Sequence, residues 1–209
     1  MKASDVLVTA IAAKGTLRAV CVRSTTLVDN ARRTHHTAPT ASAALGRTLT
    51  AALLLGSNSI GEGQLSIQFL GNGPLGGIIA DANGRGSVRG FVYQPGVHRP
   101  LKDGKLDVGG AVGEGTMMII RNQPGDRHSH RSVSPIVSGE IGEDISHHLA
   151  TSDQILSALS LGVFVETDDK VTSAGGFLVQ AMPGVKSATL GLSLIHISEH
   201  TRPRLVSYA

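Results

Sequence analysis

The stretch QLSIQFLGNGPLGGIIADANGRGSVRGFV, residues 64–92, decides the fold. Leu65, Ile67 and Phe69 alternate with Ser66 and Gln68, the period-two pattern of a strand with one face in a core. Two more strand-like runs, 76–82 and 87–94, flank Asn83-Gly84, a dipeptide suited to a tight hairpin. The chain is therefore building sheet here, with turns rather than helices between strands.

On the N-terminal side, runs 5–12 and 16–23 read as two strands joined at Lys14-Gly15. Ser24 or Thr25 can cap a helix reaching about His35, with Leu27, Val28, Ala31 and His35 on one face. A second helix starts near Pro39, where proline fits the first turn, and stops at Gly56. It is apolar on more than one side, which predicts near-complete burial. On the C-terminal side, 116–121 is a short strand and the polar, histidine-bearing 123–132 reads as a loop. A helix over 139–150 carries Ile141, Ile145 and Leu149 on one stripe, and strands 159–166 and 171–181 form a last hairpin across Asp168-Asp169. Strands and helices do not alternate regularly, which excludes a doubly wound parallel sheet. The pattern predicts an α+β domain of mostly antiparallel sheets covered by helices.

Composition narrows the function classes. Of 209 residues, 41% are hydrophobic and 17% charged, a globular balance; aromatics are only 3%, so Val, Ile, Leu and Ala must fill the core. The net charge of +3 comes without a Lys/Arg block, which argues against a nucleic-acid groove. No apolar run reaches the roughly 18–20 residues of a spanning helix, and no signal peptide is evident. The single cysteine, Cys21, excludes an intrachain disulfide and favours a cytoplasmic location.

No catalytic, cofactor or metal residue emerges from the motifs. Gly71-Asn72-Gly73-Pro74-Leu75-Gly76 fits the dinucleotide pattern G-x-G-x-x-G, but it runs into strand-like residues where a phosphate site needs a helix N-terminus. The histidines at 35–36, 128, 130 and 147–148 lack the spacing of a convergent zinc set. Ser138, Glu140, Glu143 and Asp144 crowd a helix start, where capping and dipole compensation account for them. Cys21 alternates with Arg18 and Val20 beside Leu17 and Ala19, which predicts a buried, inert thiol. The alternative is a small-molecule or nucleotide-binding enzyme built on the Gly71–Gly76 turn and the acidic helix start at Glu140.

Five motifs in order carry a family likeness: TASAALGRTLTAALLLG (40–56), GPLGGIIADANGRGSVRGFV (73–92), GKLDVGGAVGEG (104–115), VSGEIGED (137–144) and SAGGFLVQAMPG (173–184). Together they resemble the redox-regulated thirty-three-kilodalton heat-shock chaperones, over residues 6–184. The resemblance implies a non-enzymatic, ATP-independent holdase that binds unfolding proteins under oxidative and heat stress and dimerises when active. It also implies a C-terminal zinc switch of four cysteines, none of which is matched here; Cys21 lies far upstream of that motif. Expected organisation is a substrate-binding domain over 1–184 and a linker start from 185, with no cofactor in this fragment. The string LSLIHISEHTRPRLVSYA (192–209) resembles translated sequencing-adapter read-through, so residues from about Ser193 are expected to be non-native. His147-His148 stands where relatives tend to carry aromatics.

Overall fold

Two antiparallel sheets clasp one helix between them. The computed structural model describes residues 4–59 and 61–182; the expected linker start and read-through tail lie outside the described residues. Sheet A has the order β1-β2-β9-β8, from β1 (Val6–Ala12), β2 (Leu17–Arg23), β9 (Val171–Ala181) and β8 (Ser157–Val165). Sheet B has the order β5-β4-β3-β6-β7, from β5 (Val88–Val92), β4 (Ile78–Asn83), β3 (Gln64–Gly71), β6 (Gly115–Asn122) and β7 (His130–Pro135). Every pairing is antiparallel, as predicted.

The clasped helix is α2 (Pro39–Gly56), which touches β2, β8 and β9 on one side and β3, β4 and β5 on the other. Only Pro39 and Arg47 escape burial along it. Alanines at 41, 43, 44, 51 and 52 let two sheets approach one helix, while Leu45, Leu49 and Leu54 fill the wider gaps. Its buried hydroxyls are satisfied locally: Thr48 Oγ1 donates to Ala44 O at 2.9 Å and Thr50 Oγ1 to Gly46 O at 2.7 Å.

Helix α1 (Thr25–His35) is capped from a distance. Neither Ser24 nor Thr25 caps it. The Asp5 carboxylate, just before β1, accepts from the N–H groups of Thr26 (3.0 Å) and Leu27 (2.7 Å). Ser24 Oγ is instead spent on Thr50 Oγ1 of α2, at 2.8 Å. Asp5→Ala should therefore lower stability by about 1 kcal/mol, with Asp5→Asn costing less because the amide oxygen can still accept. Urea unfolding followed by circular dichroism checks this; an unchanged midpoint in Asp5→Ala would remove the cap from the account.

A backbone crossing joins the end of β3 to the short helix α3 (Val108–Val112) and the start of β6. Asn72 N–H donates to Glu114 O (2.8 Å), Gly73 N–H to Val112 O (3.0 Å) and Leu75 N–H to Ala111 O (3.0 Å), and Asn72 Oδ1 accepts from Glu114 N–H (2.9 Å). A Cβ on Gly71 would lie 2.0 Å from Val112 O, and one on Gly73 2.4 Å from Ala111 O. Glycine is required here by the approach of two chains.

Three sequence expectations need correction. The stretch read as a loop to residue 132 already contains β7 from His130, because its alternating Arg131, Ser132, Val133 and Ser134 pair with β6 despite their polarity. Helix α4 runs Gly142–Thr151, starting later than residue 139. Ile141 at its N-terminus has φ of +63°, and Asp144 supplies the side-chain acceptor that fixes the turn. Cys21 is exposed rather than buried. The inward face of β2 is Val20 and Val22, and Arg18 shares that face by reaching past the core to the end of α2, where it donates to Ser57 O (3.1 Å) and Asn58.

Candidate functional site

The register of sheet A places a second apolar surface on its outer side. Val8 opposes Cys21, which opposes Phe177; Ala10 opposes Ala19, which opposes Val179. Residues directly opposite in antiparallel strands share a face, so these side chains form one sheet surface; Val6 shares it opposite Arg23, and Phe164 stands on the same side of β8 opposite Ser173, beyond Gly162 and Gly175. The buried side chains of the same strands (Val20, Val22, Ala174, Leu178) point the other way, toward α1 and α2. An antiparallel sheet with one wet face normally alternates apolar and polar residues. β1 reads VLVTAIA and does not. Val6, Val8 and Phe164 are 47%, 56% and 57% exposed. Exposed apolar side chains gathered on one sheet face mark a binding site or an aggregation liability.

Around the free side of β8 the surface turns into a groove of ≈ 1410 Å³ between β8, the first turns of α2 and α4, and the loop bearing His98 to Leu106. Leu101, Leu106, Leu159, Leu161, Val163 and Phe164 give it apolar walls. One ion pair, Arg47 Nη1 to Glu140 Oε2 at 2.6 Å, crosses it. Phe164 belongs to both the sheet face and the groove. A smaller apolar patch lies on sheet B, where the exposed rings of Phe91 and Tyr93 stack at 5.7 Å.

The residues of the enzyme alternative are occupied structurally. In the Gly71–Gly76 turn the N–H groups of Asn72, Gly73, Leu75 and Gly76 all donate to backbone carbonyls, and the chain continues into β4. A phosphate cradle needs free N–H groups at a helix N-terminus; this turn offers none. Glu140 ties Arg47 to Gly109, whose N–H it accepts at 3.2 Å. Asp144, fully buried, accepts from the N–H groups of Val137 (2.7 Å), Ser138 (2.9 Å) and Ile141 (3.2 Å). The Arg99 side chain, at 2.6 Å, and then the Gly110 N–H hold the Asp107 carboxyl below its ordinary range at the start of α3.

Ser132, His148 and Asp153 do come together, a trio absent from the sequence reading. His148 Nε2 lies 2.8 Å from Ser132 Oγ and 3.8 Å from Asp153 Oδ1, while Nδ1 faces Ser134 Oγ at 2.9 Å. A hydrolytic triad needs serine and carboxylate on opposite ring nitrogens, with the serine open to substrate. Here both sit on Nε2 and the ring has no accessible surface.

Comparison with known proteins bears on the whole of this architecture. The chain matches the model of the Hsp33 protein family over residues 5–202. It belongs to the Hsp33 family. The 33 kDa chaperonin of Desulforamulus reducens is 48% identical over 187 residues, covering 89% of this chain and 63% of that protein. That of Enterococcus faecalis is 46% identical over 188 residues, again with 89% and 63% covered. The crystal structure of the 33 kDa chaperonin from Thermotoga maritima superposes with a TM-score of 0.86 at 33% identity, covering 94% of this chain and 67% of that one. The chain thus spans about 63% of the length of these curated relatives.

The Hsp33 resemblance implied a four-thiolate zinc centre, and the residues present do not fit one. Cys21 is the single cysteine of the sequence, and among the described residues no group of three or more His, Cys, Asp or Glu side chains could hold a metal ion. No described helix is long and apolar enough to cross a membrane. The outer face of sheet A was the part sequence reasoning missed. Its signal was present in β1, apolar at every position but Thr9.

Proposed function

We propose that this chain is the client-binding body of an ATP-independent holdase chaperone, capturing unfolding proteins in the cytoplasm. The observation that carries the reading is the apolar outer face of sheet A, with Phe164 on its β8 side also lining the β8 groove. Unfolding proteins share no sequence, only exposed apolar side chains, and an apolar sheet face beside a groove with apolar walls suits that property. Family membership supports the same reading, as does the structural use already made of the Gly71–Gly76 turn and Glu140. Capture needs no nucleotide and no catalytic group. A homodimer would place two such faces on one particle and raise avidity for extended clients.

The test is suppression of thermal aggregation of a model client, such as citrate synthase, by the 209-residue chain. The double variant Val8→Thr, Phe164→Thr keeps β-compatible side chains at exposed positions, so its melting temperature should barely move. Its capture should weaken roughly tenfold, the loss expected when two apolar side chains no longer leave water on binding. Peroxide and zinc chelators should leave capture by the parent chain unchanged, since the sequence contains no four-thiolate set. Full capture by the double variant would rule out the outer face, and no capture by the parent would rule out the holdase reading.

A further inference from the structure

The imidazole of His148 is a titratable group that lies apart from the proposed capture surface. It is fully buried on α4, and it grips two serines of one neighbouring strand, Ser132 and Ser134 of β7. Those serines are two apart and so share the inner face of sheet B. Among the described residues β7 is an edge strand of that sheet, paired with β6 alone. The segment from β7 through α4 therefore forms a flap that meets sheet B through one strand pairing and one ring, while Glu140 between them is tied to Arg47 of α2 and Gly109 of α3 and α4 packs against β8. Beneath it lie Ile141, Ile145 and Leu149 of the flap, with Met117 and Ile119 of β6, all fully buried.

We propose that His148 is an acid-sensitive latch: protonating its ring releases α4 from β7, and the flap opens to expose the apolar side chains beneath. A neutral ring gives one N–H and takes one O–H, and two serine hydroxyls satisfy both needs. A charged ring keeps both hydrogen bonds but places a cation where no water reaches. The charged groups around it do not cancel that cost. Asp153 lies 3.8 Å away, but its carboxylate is already paired with Arg121 of β6 at 2.6 Å. His147 stands next on α4, and the exposed His130 shares the inner face of β7, opposite Arg121. β8, packed against α4, carries no titratable side chain.

The sign follows from where the proton binds. Burial lowers the His148 pKa from its ordinary 6.5; Asp153 opposes this, and Arg121 and His147 reinforce it. The open flap accepts the proton first as pH falls through 6.5, the value for a solvated ring. The latch is thus fully set above that pH. Below it, the opening equilibrium rises by about tenfold per pH unit until the buried ring itself titrates.

Hydrogen–deuterium exchange of the full 209-residue chain, corrected for intrinsic rates, tests this at about pH 7.5 and about pH 5.5. Peptides covering 130–151 should exchange roughly tenfold more readily at the lower pH, with peptides of α2 and β3 little changed. In His148→Gln, which cannot titrate, that pH response should vanish; in His147→Gln it should persist. A uniform response along the chain, or an undiminished one in His148→Gln, overturns the latch. Should His148→Gln fail to fold, the ring protons of the parent decide by nuclear magnetic resonance, and titration of His148 at or above about 6.5 overturns it. A parallel aggregation assay at the lower pH rests on the holdase reading. Local opening without increased capture would count against that reading and leave the latch standing.

Discussion

Gly71→Ala should leave little folded protein. The new Cβ would meet Val112 O at 2.0 Å, well inside the 3.0 Å that real Cβ atoms respect, and neither partner can rotate away because both are backbone-fixed. Relief requires the β3 exit and the α3–β6 link to separate. That movement takes with it the hydrogen bonds Gly73 N–H to Val112 O and Asn72 N–H to Glu114 O. Losses of more than about 4 kcal/mol belong to mechanisms of this kind, and a domain has only about 5–15 kcal/mol in total. Gly96→Ala is the matched control, since nothing lies within 4 Å of its Cβ position and its φ is not positive. Soluble yield and thermal melting of the two variants should diverge sharply. A Gly71→Ala protein melting within about 2 °C of the parent would show that the crossing is looser than described.

Asp144→Ala should be the most damaging removal of a polar side chain. Its two oxygens take three backbone N–H groups, from Val137, Ser138 and Ile141, at a turn where Ile141 already holds a positive φ. Alanine would leave those donors without acceptors. At about 1–3 kcal/mol for each one that stays buried, the expected loss is on the order of 4 kcal/mol. Asp144→Asn should fall between, because one amide oxygen can still accept. Denaturant unfolding gives the ranking, and hydrogen exchange at Val137 and Ile141 should show the lost protection directly. Stability of Asp144→Ala within about 1 kcal/mol of the parent would mean water can replace the carboxylate.

Much of this molecule was readable in one dimension. The alternation of Leu65, Ile67 and Phe69 gave β3 and its inner face, Pro39 and Gly56 bounded α2, and Val171 to Ala181 is β9 end to end. What failed did so for tertiary reasons. β2 is apolar on both faces apart from one arginine on each, Arg18 and Arg23, so alternation cannot say which face is inside. The choice fell to Val20 and Val22 because Arg18 has Ser57 and Asn58 to reach at the end of α2. α3 is mostly glycine and valine, poor helix formers, and exists because Asp107 accepts from Gly110 N–H at 3.0 Å while the crossing holds its C-terminal end. β7 looked like a loop because its inward residues are serines, which are at home only beside an imidazole contributed by α4. The candidate surface was hidden for a related reason. Apolar residues on β1 suggest a core, and only the pairing register reveals that half of them face outward.

The position of α2 sets an order of events during synthesis. The helix is complete at residue 56, but the strands that close its sheet A side, β8 and β9, begin at Ser157 and Val171. At roughly 5–20 residues per second, α2 spends on the order of ten seconds with that side bare while the rest of the chain emerges. During that interval only the β1–β2 hairpin is available to sheet A, and its central partner, β9, is still unmade. A nascent chain halted before β9 would present a long alanine- and leucine-rich helix to its neighbours. A protein proposed to guard others against aggregation is itself, until β9 is threaded in, a client.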